Sequence, residues 1–197
     1  MNEATSLSLL QRAASARDAD SWGRLAALYE PLMRGWLVQY EVQAADADDL
    51  IQEVFYVLAQ ELPRFDHNGR TGSFRSWLRR ILVHRLHNFW RKQKYDQRGR
   101  GTSSLLEQLH QLGDDASDAS RVWNAEHDQY VIARLMEVVR PSFQENTWEA
   151  FRRQMFDGRK PEVVAAELDM SLGAVYMARN RVLNALRREG AGLIDLR

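Results

Sequence analysis

The chain of 197 residues contains no cysteine. It can therefore form neither disulfides nor thiolate metal sites, and the absence is compatible with a reducing compartment. No apolar run approaches the ~20 residues that a bilayer-spanning helix needs, and the polar N-terminus has no signal-peptide pattern. We therefore expect neither secretion nor membrane insertion, and a cytoplasmic protein is the default expectation.

Proline is also scarce, and no segment shows sustained alternation of β-branched and polar residues. Each of the four prolines falls at a plausible helix start or break. The sequence therefore predicts an all-α fold. The predicted helices lie near Glu3 to Ala16, Ala19 to Tyr40, Ala45 to Glu61, Phe74 to Lys94, Ser120 to Arg140, Glu145 to Phe156, Pro161 to Leu168 and Leu172 to Glu189.

The composition changes between residues 96 and 119, where Gly, Ser, Thr and Asp surround a short amphipathic stretch of leucines. This composition is typical of linkers. It predicts two small helical domains, residues 1–95 and 120–197, joined by a flexible linker at 96–119. The acidic end of the linker could occupy a positively charged channel in a partner, or it could simply be solvated.

An acidic helix is predicted where the sequence reads D-A-D-D-L-I-Q-E-V-F, from Asp46 to Phe55. At 100° per residue its apolar side chains fall on one side and its carboxylates and amides on the other. The polar stripe contains Asp49, Gln52, Glu53, Tyr56 and Gln60, with Asp46 and Asp48 at the helix start. A docking surface for a basic partner accounts for this stripe, and so does an ordinary solvated face. The first acids also complement the helix dipole.

The next helix, predicted from about Phe74 to Lys92, carries a basic outer face bordered by an aromatic ring. That face contains Trp77, Arg80, His84, His87, Asn88 and Arg91. From Arg64 to Arg100 there are eleven Lys and Arg residues against two acids, in a chain with zero net charge. A polyanion selects such an imbalance, and rings beside the cations favour unpaired bases. An ordinary basic surface helix is the alternative.

The segment from Pro161 to Glu189 has the layout of a helix-turn-helix, with a turn at Asp169 to Ser171 and Ser171 as the expected helix cap. Small apolar residues occupy one side of the second helix. The opposite side displays amides and guanidiniums, the groups that read base edges and phosphates. A helical hairpin that merely packs internally is the alternative.

Together these motifs resemble the extracytoplasmic-function sigma factors of bacterial RNA polymerase. The acidic helix with Leu62-Pro63-Arg64-Phe65-Asp66 is similar to that family's second region, and G-S-F-R-S-W-L-R-R-I-L, Gly72 to Leu82, is similar to its promoter-melting helix. T-W-E-A-F, Thr147 to Phe151, and S-L-G-A-V-Y-M-A-R-N-R-V-L, Ser171 to Leu183, are similar to its fourth region. The resemblance covers nearly the whole chain.

The resemblance implies three sets of binding residues, and RNA polymerase core enzyme and promoter DNA, duplex and single-stranded, as partners. Core polymerase would contact Asp46, Asp48, Asp49, Gln52 and Glu53. The minus-ten element would contact Phe65, Asn68, Arg70, Ser73, Trp77, Arg80, His84, His87, Asn88 and Arg91, with one base flipped from the non-template strand. The minus-thirty-five element would contact Ser171, Gly173, Tyr176, Met177, Asn180, Arg181, Asn184 and Arg187. The linker would thread towards the RNA exit path. An anti-sigma protein is a further partner that the family leads us to expect.

His84, Tyr176 and Met177 depart from the residues most frequent in the family, which leaves the promoter sequence open. A helix-turn-helix regulator that never touches polymerase is the alternative function, but it leaves the acidic stripe and the basic helix unexplained. An enzyme is the weakest reading, because no phosphate loop or nucleophile setting appears. His84 and His87 lack nearby carboxylate ligands, so we expect no metal and no cofactor.

Overall fold

The structure is a computed structural model that describes residues 9–15, 18–65, 73–96 and 102–194, with the backbone only for 94–96 and 102–106. It is all-α, as predicted, and the described residues contain no strand. The helices are α1 (Leu9–Ala13), α2 (Ala19–Gln39), α3 (Ala44–Glu61), α4 (Ser73–Asp96), α5 (Thr102–Gly113), α6 (Asp118–Val139), α7 (Glu145–Met155), α8 (Pro161–Glu167) and α9 (Leu172–Gly190). Short 3-10 turns follow α3 and α6, at Leu62–Arg64 and Arg140–Ser142.

Seven of the predicted helices, from α2 to α4 and from α6 to α9, end within two residues of the prediction. The N-terminal helix, predicted from Glu3 to Ala16, is described only from Leu9, and it ends at Ala13. The prediction for Pro31 as a start or break was wrong, because this proline lies inside α2. Buried neighbours such as Tyr29 and Met33 hold α2 in place on both sides of it.

The helices α2, α3 and α4 pack around a core that includes the aromatic residues Tyr29 and Phe74, whose ring centroids are 5.4 Å apart. Buried side chains recur every three or four residues along each helix, so one stripe of each helix faces the core. On α4 that stripe is Phe74, Leu78, Leu82, Leu86 and Trp90. Asp18 caps α2 by accepting a hydrogen bond from the backbone N–H of Ser21 at 2.9 Å. This arrangement leaves the outer faces of α3 and α4 open.

The expected linker contains a regular helix, α5, which corrects the prediction of a flexible segment at this point. Leu109 and Leu112, part of the amphipathic stretch seen in the sequence, are buried, and α5 packs against α4 and α6. Linker composition predicts weak local preference for helix, but burial of these leucines stabilises the helix through tertiary packing.

Helix α6 connects the two halves of the chain. Trp123 on α6 packs against Trp36 on α2, with ring centroids 5.7 Å apart, and belongs to the same hydrophobic core. Further along, α6 packs on α9. A Cβ added to Gly190 would lie 2.8 Å from Cδ1 of Leu135, so a larger residue there would require the Leu135 side chain to shift. The division into domains at 96–119 stays a prediction.

Helices α7, α8 and α9 form a small bundle with a separate apolar cluster of Ala150, Val164, Val175 and Ala178. Among the helices that the structure describes, none has the length and apolar character to cross a membrane.

Candidate functional site

The predicted polymerase-binding residues lie along the outer face of α3. Asp48, Asp49, Gln52 and Glu53 are exposed, and Asp46 is half-buried. The ring of Tyr56 in the same stripe is 64% exposed to solvent. The opposite side of α3 is buried at Leu50, Val54 and Leu58. The helix therefore presents a band of carboxylate and amide groups with one aromatic ring.

The acidic band of α3 and part of the basic helix α4 border one groove of about 400 Å³. Asp46, Asp49 and Glu53 line it from α3, and Arg85, Asn88 and Lys92 line it from α4. Glu53 lies 3.5 Å from Nη1 of Arg85, and Asp48 lies 2.6 Å from Nη2 of Arg34 on α2. Asp48 and Glu53 are about half-exposed, so each ion pair contributes no more than ~1 kcal/mol. Cations of a binding partner can therefore replace Arg34 and Arg85 as the counter-ions of Asp48 and Glu53, because little free energy is lost when these two ion pairs break.

The predicted minus-ten residues on α4 project mainly outward. Arg80, His84, His87 and Arg91 are exposed, whereas Ser73, Trp77 and Asn88 are half-buried. Asn88 lies one turn from His84, with its Nδ2 3.4 Å from the Nε2 of that ring. Asn68 and Arg70 lie outside the described residues. The face combines cations, imidazoles and an amide, which suits the phosphates and exposed base edges of nucleic acid.

Phe65 and Trp77 form the aromatic border of this face. Their rings stack with centroids 4.6 Å apart and planes 22° from parallel. Both rings are half-buried, and Phe74 packs edge-on against each of them. The cluster holds Trp77 in the first turns of α4. An unpaired base could stack on such a platform.

The predicted minus-thirty-five residues lie on the outer face of α9. All of them are exposed: Ser171, Gly173, Tyr176, Met177, Asn180, Arg181, Asn184 and Arg187. The side chain of Ser171 accepts a hydrogen bond from the N–H of Ala174 at 3.2 Å and caps α9, as expected. Asp169 has a positive φ of 51°, the left-handed conformation that the tight turn between α8 and α9 requires. The inner face of α9 is buried on α7 and α8, so its outer face is presented to solvent.

Two of the eleven cations counted from Arg64 to Arg100, Arg75 and Arg79, face other parts of this chain instead of a polyanion. The side chain of Arg79 is fully buried. It forms an ion pair with Asp115 and donates to the carbonyl oxygen of Ser120 and to Oδ1 of Asn124. Arg75 forms an ion pair with Asp128 on α6.

A second cluster of polar side chains joins α6 to α2. The Tyr29 hydroxyl lies 3.1 Å from Nε2 of His127, and Nδ1 of His127 lies 2.9 Å from Oδ1 of Asp128. We call the residues Tyr29, Arg75, Arg79, Asp115, His127 and Asp128 the polar clasp, because they join α2 and α4 to α5 and α6. The spacing of Arg75 and Arg79 with Leu82 and Leu86 places them on one face of α4, and this was the signal that could have revealed their burial.

Burial and neighbouring groups shift the pKa values of three residues in the clasp. Burial lowers the pKa of His127, against the opposing effect of Asp128, so the imidazole is held neutral. Burial opposes ionisation of Asp128, but the hydrogen bonds from His127 and Arg75 outweigh it and lower the pKa of that carboxyl. Burial also lowers the pKa of Arg79, although a guanidinium keeps its charge in proteins. Asp115 supplies the compensating charge, so the acidic end of the expected linker contacts this chain's own arginine.

No group of three or more His, Asp or Glu side chains suited to a metal ion occurs in the part of the chain that the structure describes.

Comparison with known protein families bears on the segment from α2 to α4. Residues 25–95 match the family model of sigma-70 region 2. The match supports a sigma factor, and with it RNA polymerase core enzyme and promoter DNA as the partners that this family implies. It covers both the acidic band of α3 and the basic face of α4. A comparison with curated proteins found no match.

Proposed function

We propose that the chain is a sigma factor of the extracytoplasmic-function type, which binds core RNA polymerase, directs it to promoters and starts DNA melting. The observation that carries the proposal is the match of residues 25–95 to sigma-70 region 2, on a segment that exposes both charged faces. In this proposal the protein acts as a polymerase subunit without enzymatic activity of its own, in the cytoplasm where the polymerase and its DNA are.

The acidic band of α3 is the proposed polymerase-docking surface. Exposed carboxylates and an amide offer acceptors to a basic partner, and Tyr56 adds apolar area at the edge. Because Asp48 and Glu53 are held only by half-exposed ion pairs, docking can exchange Arg34 and Arg85 for cations of the polymerase. The side chains of Asp49 and Gln52 form no ion pair or hydrogen bond with any described residue, so they are open to a partner.

The outer face of α4 is the proposed minus-ten surface. Arg80 and Arg91 would hold the phosphates of the separated strand, and the stacked pair of Phe65 and Trp77 would support a base flipped from the non-template strand. Flipping costs a few kcal/mol of stacking, and an aromatic platform recovers about 1–3 kcal/mol per base. Asn68 and Arg70, which lie outside the described residues, belong to the same proposed surface.

The outer face of α9 is the proposed minus-thirty-five reader. Asn180 and Asn184 carry the amide groups that pair with adenine edges, and the apolar parts of Tyr176 and Met177 suit the methyl group of thymine. Arg187, near the C-terminal end of the helix, would contact a phosphate. An anti-sigma protein that covers one of these faces is part of the proposal as a further partner.

Two measurements test the function. The purified chain should co-elute with core polymerase in the absence of DNA, and the two together should give run-off transcripts from a subset of a genomic library. A regulator that binds an operator alone would bind DNA without co-elution. Failure of both co-elution and transcription would overturn the proposal.

A further inference from the structure

A hollow of about 650 Å³ lies between α1, α2, α6 and α9. Much of its wall is apolar: Leu28 on α2, Leu135 on α6 and Ala185 on α9 are buried residues that border it, together with the half-buried ring of Phe143. Its volume falls within the range of about 300–1,000 Å³ that is typical of pockets for small organic ligands. None of the residues assigned above to the polymerase-binding, minus-ten or minus-thirty-five surfaces lines it. The hollow is therefore a separate candidate site.

Three of the helices around the hollow each place one arginine beside an apolar residue. The pairs are Arg24 with Leu28 on α2, Arg134 with Val138 on α6, and Arg188 with Ala185 on α9. The two members of each pair are three or four residues apart, so they lie on the same face of their helix. Guanidiniums and apolar side chains therefore reach the hollow together from three directions. Such a wall suits a ligand that has both an anionic group and an apolar body.

The charges in the wall favour an anion. Two carboxylates, Glu137 and Glu189, also line the hollow, so three guanidiniums face two carboxylates. Glu189 forms an ion pair with Arg12 at 3.2 Å, and its other oxygen lies 3.8 Å from Nε of Arg188. The charge of Glu189 is thus shared with an arginine outside the wall, which increases the excess of positive charge within it.

The remaining two arginines of the wall are held by exposed ion pairs. Arg134 lies 2.6 Å from Glu137, and Arg24 lies 3.1 Å from Asp20. All four side chains are at least 43% exposed, and ion pairs in such surroundings contribute little to stability because water screens them. A carboxylate that enters the hollow can therefore bind these guanidiniums without breaking a strong contact.

We propose that the hollow is a binding site for a small amphiphilic carboxylate. The apolar body of the ligand packs against Leu28, Leu135 and Phe143, and burial of that body supplies most of the affinity. The carboxylate accepts hydrogen bonds from Arg134 and its neighbouring guanidiniums, whose planar donors match its two oxygens. This site goes beyond the proposed function and does not depend on it, since its residues belong to none of the three proposed surfaces.

Isothermal titration calorimetry of the full chain with decanoate tests the site. Decanoate should bind with one ligand per chain and a Kd of about 100 µM or tighter, as expected for a small ligand whose apolar chain is buried. Decanol has the same alkyl chain without the charge. It should bind at least about tenfold more weakly, because it cannot form charge-assisted hydrogen bonds with the guanidiniums.

Arg134→Gln tests the contact with the carboxylate and should weaken decanoate binding about tenfold. Arg121→Gln is the matched control, because Arg121 is also on α6 and also pairs with an acid three residues away, Asp118, but does not line the hollow. Its affinity for decanoate should equal that of the unchanged chain.

Ala27→Trp tests the location of the site. Ala27 lies at an exposed position of α2 that borders the hollow, so the indole fills the hollow without replacing a buried side chain. Decanoate binding should be lost, with helix content unchanged by circular dichroism. Ala166→Trp, at an exposed position of α8 away from the hollow, is the control and should bind decanoate normally.

Three results would overturn the proposal. The first is the absence of saturable heat with decanoate. The second is equal affinity for decanoate in Arg134→Gln and Arg121→Gln, or equal affinity of the unchanged chain for decanoate and decanol, either of which removes the recognition of the carboxylate. The third is normal binding in Ala27→Trp, which would place the bound decanoate elsewhere on the chain. Binding to core polymerase is a separate measurement, so a failure of the proposed function leaves this test unaffected.

Discussion

Tyr29 on α2 and His127 on α6 share a buried hydrogen bond of 3.1 Å, and their rings stack with centroids 5.7 Å apart. Because Nδ1 of the neutral imidazole donates to Asp128, Nε2 is left as the acceptor for the Tyr29 hydroxyl. Burial, reinforced by Asp128, raises the pKa of Tyr29 well above its usual value, so the phenol keeps the proton that it donates. This contact between the two halves of the chain therefore depends on a neutral His127, because a protonated imidazole could not accept the hydrogen bond from Tyr29.

We predict that stability declines as the pH falls below about 6.5, the ordinary pKa of histidine. Burial lowers the pKa of His127 in the folded chain, so the unfolded chain binds the proton first. The free energy of unfolding should therefore fall by up to about 1.4 kcal/mol per pH unit in this window, and the contribution of Asp128 should be lost only below about pH 4.

Urea unfolding at several pH values measures this slope. His127→Gln should be less stable but should lose most of the slope between pH 6.5 and 5, whereas His110→Gln, at an exposed position on α5, should keep it. An undiminished slope in His127→Gln would assign the pH dependence to other groups.

The docking surface on α3 predicts that Asp49→Ala with Gln52→Ala weakens binding to core polymerase by about tenfold or more, since both exposed groups would be lost from the interface. The change in the free energy of unfolding should stay below about 0.5 kcal/mol. Fluorescence anisotropy gives the affinity. Gln39→Ala with Glu61→Ala removes an exposed amide and carboxylate elsewhere and should bind normally; equal affinity of the two double variants would show that the docking assignment is wrong.

The outer face of α4 predicts that Arg80→Ala reduces open-complex formation more than initial duplex binding. Arg80 is exposed, so its loss should leave packing intact, whereas Trp77→Ala also removes a ring that stacks on Phe65. Permanganate footprinting should show several-fold fewer reactive thymines near the start site at equal promoter occupancy, with Arg24→Ala on α2 as the control. Normal reactivity in Arg80→Ala would remove the melting role from this face.

On the exposed face of α9, we expect Asn180 to determine base preference and Arg187 to add affinity without preference. Asn180→Ala should flatten base preference at one or two positions, because a bidentate amide–adenine pair is worth about 1–3 kcal/mol of discrimination. Arg187→Ala should weaken all sequences alike and lower the salt dependence of binding. Both variants are scored against a randomised minus-thirty-five library at two salt concentrations. An unchanged preferred sequence in Asn180→Ala, or a changed one in Arg187→Ala, would contradict the assignment.

Helical periodicity alone was enough to place most of the fold and the candidate faces. Buried residues recur locally on α3, α4 and α9, so the exposure of Asp49, Arg80 and Asn180 follows from sequence spacing. The turn before α9 was equally readable, because Ser171 and Asp169 act on their immediate neighbours. These features depend on interactions between residues that are close together in the sequence, so each can be predicted from its own segment.

Only the tertiary structure decided which side of each helix is covered by another part of the chain. Arg79 has the same charge as Arg80, yet one is buried against Asp115 and the other is exposed, because α5 and α6 cover a single side of α4. Likewise α5 forms in a segment of linker composition because Leu109 and Leu112 find a core to enter. Pairing between distant segments depends on the packing of the whole chain, since burial energy is realised only when the partner helix is in place.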